Sequence, residues 1–201
     1  MIRLNQKKIN VDKLNLGCSV FKKKGFLNVD IDSDKNPDLL LNLDKIPYPF
    51  KDESFSLITA DHVLEHLNNP FEIMKELYRI LKPRGKLIIK VPHFSRGFTH
   101  PDHKRGFDVS FPLYFNEDFK AFYTGTSFKL EKLKLTWCAQ PYLKKITLSP
   151  VQYFFASIIG NIIDLFANAS PYLCSRLWCF WVGGFEEIEF IFIKQGVKAH
   201  T

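Results

Sequence analysis

The side chains best suited to moving protons or holding ions lie in two short stretches. The first, "HVLEH", sets His62, Glu65 and His66 in H-x-x-E-H spacing, a pattern in which two imidazoles and a carboxylate can serve a zinc site. Against a metal here, His62 follows directly on an apolar run that reads as a buried strand, and no third ligand motif accompanies the pair. The expectation is therefore no metal, with His66 on a helix surface or capping the turn before Asn68-Asn69-Pro70. The second stretch, "PHFSRGFTHPDHKRGFDVSF" from Pro92 to Phe111, carries His93, His100, Asp102 and His103 together with Lys104 and Arg105. Imidazole and carboxylate are residue types of proton transfer, and the two cations suit an anionic group on a ligand. Each of these residues has a plainer alternative, which is to organise its own loop.

A third stretch suggests where a ligand would lie. In "LNLGCSVFKKKGFLNVDID", Leu14 to Asp32, a buried strand breaks at Gly17 and a second apolar strand ends in acidic residues. A strand followed at once by a glycine turn places backbone N–H groups at the carboxyl end of a parallel sheet, where ligands of doubly wound folds sit. An acidic residue ending the next strand can accept both hydroxyls of a ribose. Gly17 is the turn glycine and Asp30 the ribose candidate.

The elements that position these groups follow from periodicity. Lys13 to Leu16, Phe26 to Ile31 and Ser54 to Ala60 read as strands, the third running into a helical segment. Phe71, Met74, Leu77, Tyr78 and Leu81 fall on one helical face, Pro83 and Gly85 stop it, and Leu87 to Val91 is again a β run. This βαβ unit implies a parallel pair. A helix around Asn116 to Tyr123, a strand from Phe128 to Trp137 and a final strand from Glu187 to Lys194 complete an α/β alternation. The histidine loop follows a parallel strand directly and so faces the ligand crevice.

With 201 residues, 46% of them hydrophobic and 24% charged, the chain suits a single globular domain, residues 1–201. "MIRLNQKKINVDKLNLG" has no uninterrupted apolar stretch of the signal-peptide kind, which points to the cytoplasm. Cys18, Cys138, Cys174 and Cys179 have neither metal-finger spacing nor disulfide-scaffold density and read as core thiols of a reducing compartment. The net charge of +7 draws on Lys22-Lys23-Lys24, Lys104-Arg105 and Lys144-Lys145, expected chiefly as solvated faces. From Ile146 to Phe185 the only charged residues are Asp164 and Arg176. Gln152, Asn161 and Asp164 interrupt the one window near the ~20 residues that a bilayer needs. Residues 138–185 therefore read as an apolar helical insertion before the last strand, serving as lid, dimer face or membrane-facing surface. Phe154, Phe155, Ile158, Ile159, Ile162, Ile163 and Phe166 take up most of a helical circumference. Its outer face is expected against a second copy, an acyl or polyprenyl chain or a membrane surface, with a dimer slightly favoured.

In order along the chain, "LNLGC", "NVDID", "LNLDKIPYPFKDESF", "ADHVLEHL", "EIMKELYRILKPRGKLII" and "VPHFS" together resemble the class I S-adenosylmethionine-dependent methyltransferases. More narrowly, they resemble the small bacterial and archaeal branch often found with glycan-assembly genes. The resemblance covers about Leu14 to Phe115 and places "HVLEH" in register with the family pattern. It implies a Rossmann-like, mostly parallel seven-stranded sheet with an antiparallel last strand, S-adenosyl-L-methionine as cofactor and S-adenosyl-L-homocysteine as product. By the same resemblance Leu16, Gly17, Cys18 and Ser19 line the methionine part, Asp30 holds the ribose beside Ile31, and Asn42 and Leu43 meet the adenine. Ala60, Asp61 and His62 then lie beside the sulfonium. Ser19 stands where the family carries a further glycine, and Asn42 where it commonly carries Asp, an amide oxygen still able to accept from an adenine amino group. Asp30 lies only thirteen residues beyond Gly17, too few for a full helix between the first two strands.

Methyl transfer is an in-line displacement at carbon, so alignment supplies much of the acceleration, and a hydroxyl acceptor gains further from a base. His93, His100, Asp102 and His103 are the catalytic candidates. The implied acceptor is an oxygen of a sugar, sugar nucleotide or lipid-linked glycan precursor, with the protein cytoplasmic or membrane-peripheral. An RNA methyltransferase ranks second on the positive charge, although no RNA-binding appendage or amino- or base-carbon-methylating motif accompanies it, so a nucleic-acid partner is not expected. A cofactor-dead scaffold is the reading from another class.

Overall fold

Short apolar runs flanked by turn residues become the strands of one seven-stranded sheet in a computed structural model that describes residues 11–98 and 100–195. The reading of a leader-free start, over residues 1–10, and Thr99 of the histidine loop lie outside the described residues. The strands are β1 (Lys13–Leu16), β2 (Leu27–Asp30), β3 (Leu39–Leu40), β4 (Phe55–Asp61), β5 (Leu81–Val91), β6 (Phe128–Thr136) and β7 (Glu187–Lys194), in the order β3-β2-β1-β4-β5-β7-β6. β1 to β5 pair in parallel, and β7 runs antiparallel between β5 and β6.

One sheet face carries the core. Leu14 and Leu16 of β1, Ile58 and Ala60 of β4, Leu87 and Ile89 of β5 and Phe190 and Phe192 of β7 are buried, as strict alternation requires. Ile73, Met74, Leu77 and Ile80 of α1 (Pro70–Ile80) are buried in the same cluster. Pro70 opens that helix, and Asn69 caps it by accepting from the N–H groups of Phe71 and Glu72.

The other face is polar at its centre. Thr59 donates to Asn15 Oδ1 and Asn15 donates to Asn28 Oδ1, both at 3.0 Å, a buried row across β4, β1 and β2. Lys23 reaches it from the β1–β2 connection and donates to Thr59 at 2.8 Å and to Asp61 at 2.9 Å. Residues 17–26 hold turns rather than a helix, so polar groups that helix packing would have buried are satisfied by one another and by a lysine. Of the expected solvated Lys22–Lys24 run, Lys23 is thus structural, and Lys22 pairs with Asp38 at 2.8 Å.

Several local expectations change. The segment after β4 is one 3-10 turn, Leu64–His66, because His62 adopts the left-handed region at φ 54° and ends the approach to a helix. Strand β5 starts earlier than the proline and glycine suggest: Leu81 pairs with Phe55, the chain bulges, and pairing resumes at Leu57↔Lys86. Asn116 to Tyr123 is not a helix but a run of turns. Asn116 takes the Asp118 N–H on its own side chain, an interaction that competes with helix formation, and the helical residues are instead the 3-10 turn Phe111–Phe115. Cys18, Cys174 and Cys179 are buried, whereas Cys138 is half-buried, and no disulfide joins the described residues.

Before β7 come α2 (Pro141–Thr147), α3 (Pro150–Ala169) and three short helical turns ending at Val182. Ser149 and Gln152 form a reciprocal capping box at the start of α3. The face of α3 toward the sheet is small and polar. Gly160 lies under Trp137, Asp164 accepts the Trp137 N–H at 2.7 Å, and Asn168 bonds both the N–H and the C=O of Leu135 at 2.8 Å. Its outward face carries Val151, Phe154, Phe155, Ile158, Ile159, Ile162, Leu165 and Phe166, each 43–72% exposed, with Gln152 and Asn161 as exposed polar residues among them. The helix is inside out.

Candidate functional site

The carboxyl ends of β1, β2 and β4 build the first half of the site. Gly17 follows β1 at φ 57°, and a Cβ there would lie 2.5 Å from Val63 Cγ2. Glycine is therefore required twice, by conformation and by the close approach of the segment after β4. Cys18 extends the pairing by donating to the Val29 C=O, and Leu16 and Cys18 turn their side chains into the core, leaving only backbone for a ligand. Ser19 is also left-handed, at φ 42°, and its N–H donates to Asp30 Oδ2 at 2.7 Å. The Asp32 N–H donates to Asp30 Oδ1 at 3.0 Å. The Asp30 carboxylate is thus fixed in orientation, and each oxygen retains acceptor capacity. Beside it Ile31 is 67% exposed, an apolar surface that the described residues leave uncovered. A turn glycine, an oriented carboxylate and an exposed apolar neighbour fit a nucleoside with a vicinal diol.

Asn42 accepts the Asp44 N–H at Oδ1, which keeps a second acceptor position, and its amide NH2 is also available to a base, while Leu43 is buried. Asp61, expected at the sulfonium, is turned to Lys23 on the polar sheet face, and Ala60 is fully buried. His62 places Nε2 2.9 Å from Glu187 and Nδ1 3.3 Å from Glu65. Burial alone would lower its pKa, but the two carboxylates prevail and raise it to about 9, keeping the ring protonated.

The loops after β4 and β5 meet to form the second half. His103 places Nε2 3.9 Å from the fully buried Glu65, and its Nδ1 lies 2.7 Å from the Gly97 C=O. The rings of His66, His100 and His103 are mutual neighbours at 4.9–5.8 Å, His100 stacking on His103. Asp102 is exposed and accepts at its C=O from His66, and Lys104 and Arg105 bond Asn68. His93 is elsewhere: fully buried, its Nδ1 accepts the Ser95 N–H while Nε2 meets Ser175, which donates to Asp108. Burial lowers its pKa to about 4. Of the four catalytic candidates the structure gathers His100, Asp102 and His103 and leaves His93 out. Glu65 and His66 join them, signalled only by the H-x-x-E-H spacing, whereas Glu187 comes from the last strand and has no local signal.

A methyltransferase-domain family model matches residues 26–89. A demethylmenaquinone methyltransferase of Lactobacillus johnsonii is 33% identical over 73 residues, 36% of this chain and 29% of that protein. A ubiquinone/menaquinone biosynthesis C-methyltransferase of Ruegeria is 37% identical over 46 residues, 23% of this chain and 18% of its own. The chain spans less than a third of the length of these curated relatives. Among solved structures, an S-adenosylmethionine-dependent methyltransferase from Archaeoglobus fulgidus superposes with a TM-score of 0.54 at 18% identity, over 92% of this chain and 87% of its own. The chain therefore has the fold of the S-adenosylmethionine-dependent methyltransferases and carries, over residues 26–89, the sequence pattern of a methyltransferase domain.

Proposed function

We propose that the chain is an enzyme that uses S-adenosylmethionine to methylate a hydroxyl oxygen of a sugar, sugar nucleotide or lipid-linked glycan precursor. The observation that carries the cofactor half is the Asp30 carboxylate, oriented by two backbone N–H groups next to the glycine turn. Asp30 would hold the ribose diol and Asn42 the adenine, while backbone at Gly17 and Ser19 would line the methionine part. When bound, the cofactor supplies an electrophilic methyl group on a sulfonium. At the acceptor, the histidine cluster takes up the proton that the hydroxyl loses as its O–CH3 bond forms. His103, with Nδ1–H held on the Gly97 carbonyl, carries its lone pair on Nε2. Transfer of label from methyl-labelled cofactor to nucleotide sugars and polyprenyl-phosphate sugars tests the acceptor class. Labelling of a demethylated quinone instead would favour carbon methylation, the reading that the names of two relatives support.

The same reading takes residues 1–201 as one domain and gives α3 a role. A helix with eight large apolar residues outward beside Gln152 and Asn161, and with Asp164 and Asn168 inward, has a predominantly apolar outer face, unlike a water-facing helix. By length and composition α3 could cross a membrane. Its polar face is hydrogen-bonded to β6, however, which favours lying in the interfacial plane over spanning. Trp181 at 84% and Phe180 at 65% exposure extend the apolar surface. Lys145 and Arg176 are its exposed basic groups, Arg176 held on Asp108 at 2.8 Å, and Asp164, its single acid, faces inward, so that no exposed carboxylate of the segment opposes anionic headgroups. The protein is thus read as membrane-peripheral on the cytoplasmic side, where a lipid-linked acceptor would be presented. Co-flotation with vesicles containing phosphatidylglycerol supports this reading; a dimer that ignores them favours the self-association expected from sequence.

A further inference from the structure

We propose that Glu65, His66 and His103 form a binding site for a divalent transition-metal ion of the zinc type, at the junction of the loops that follow β4 and β5. Each residue offers one ligand atom, and these atoms lie within 4.8 Å of one another. The sequence supplied a reason against a metal, the want of a further ligand beside the H-x-x-E-H string. The fold supplies that ligand from the other loop, while His62, one of the string's two histidines, turns to Glu187.

The carboxylate is the strongest sign. Glu65 is fully buried, and neither of its oxygens has a hydrogen-bond partner among the described residues. His62 and His103 approach Oε1 at 3.3 and 3.9 Å but do not satisfy it. Buried charged groups are otherwise paired and hydrogen-bonded, because leaving one incomplete costs free energy. His62 is shared with Glu187, so one ring lies between two carboxylates.

The histidines are prepared in the manner of ligands. His66 Nδ1 lies 3.2 Å from the Asp102 C=O and His103 Nδ1 2.7 Å from the Gly97 C=O. Each carbonyl can only accept, so each ring donates from Nδ1 and carries its lone pair on Nε2. This second interaction orients metal-binding histidines generally. Two imidazole nitrogens with one carboxylate oxygen are a donor set for zinc, cobalt or iron rather than for calcium or magnesium. Ligand atoms about 2.0–2.2 Å from zinc stand about 3.4 Å apart in a tetrahedron, so the site must contract on binding. The His100–Arg105 loop, built of turns and largely exposed, can supply that movement. His100, stacked on His103 at the exposed edge, lies where a fourth ligand or the acceptor would enter. On the methyl-transfer reading, on which only this last role rests, the ion would occupy the His103 Nε2 lone pair and acidify the acceptor hydroxyl in its stead, so that His103 acts as the base only in the metal-free protein.

Direct binding tests the site separately from catalysis. The full chain, stripped with a chelator, is titrated with Zn2+ against a chromophoric competitor, and with Co2+ while the visible d–d absorption is followed. One equivalent of metal is expected, with affinity falling at least tenfold in both His66→Ala and His103→Ala. Neither side chain belongs to the buried core, so circular dichroism should show both variants folded; Glu65→Gln, which could disturb folding, serves as a third variant. Absence of stoichiometric binding, or an affinity unchanged in both histidine variants, overturns the proposal.

Discussion

At the scale of single residues, backbone conformation decides the most local tests. Gly17 sits at φ 57° with Val63 2.5 Å from where a Cβ would stand. Gly17→Ala adds a left-handed penalty of about 1–2 kcal/mol to overlap in a packed site, for a total of about 2–4 kcal/mol. Urea denaturation measures it, and a midpoint equal to wild type would contradict the packing. Ser19 occupies a similar conformation, φ 42°, without being glycine. In Ser19→Gly, relief of about 1 kcal/mol is offset by a freer unfolded chain. Stability should stay within about 1 kcal/mol of wild type, and cofactor affinity should hold or rise because the Ser19 N–H to Asp30 remains. Loss of binding would mean that the hydroxyl itself contacts the ligand.

His93 gives a pH test. Burial lowers its folded pKa to about 4, so between pH 4 and its ordinary 6.5 the unfolded chain binds a proton that the folded chain does not. Stability therefore falls as pH drops through that window, by on the order of 2–3 kcal/mol from this residue. His93→Gln should flatten that part of the curve relative to wild type. Parallel curves would show that His93 is protonated in the folded state.

At the scale of elements, the inverted helix α3 was half legible. Its apolar residues were evident, but the sequence could not tell which arc faced the domain, because hydrophobic periodicity normally marks the inner face. Here the inner arc is chosen by hydrogen bonding, through Asp164 to the Trp137 N–H and Asn168 to Leu135, contacts across 27 and 33 residues. The same limit explains the helix wrongly expected over Asn116 to Tyr123, where a side chain takes a backbone N–H that a helix would use. The 3-10 turn after β4 was missed because a left-handed His62 has no glycine or asparagine to announce it. Phe155→Glu combined with Ile162→Glu changes two outward residues, 57% and 53% exposed. The double variant should keep the wild-type circular dichroism and melting midpoint while vesicle flotation drops several-fold. Unfolding of that variant would instead place these side chains in a core.

At the scale of the whole molecule, the glycine turn, the acidic end of β2 and the βαβ unit were legible because they depend on neighbours in sequence. The two-residue strand β3 was not, being too short to show alternation. The histidine cluster was legible as two separate strings and not as one site. What joins them is the adjacency of β4 and β5, fixed by register from Leu57↔Lys86 to Asp61↔Lys90 and sealed by the Lys104 N–H on the Glu65 C=O at 2.9 Å. The central claim is that the carboxyl edge of this sheet binds the nucleoside of S-adenosylmethionine through Asp30. Isothermal titration with S-adenosylhomocysteine measures it directly. Wild type should bind one equivalent, and Asp30→Ala should bind about 5- to 150-fold more weakly, the equivalent of about 1–3 kcal/mol for lost acceptors to the ribose hydroxyls. No heat of binding by folded wild type at millimolar ligand, or the same dissociation constant in both proteins, would contradict it.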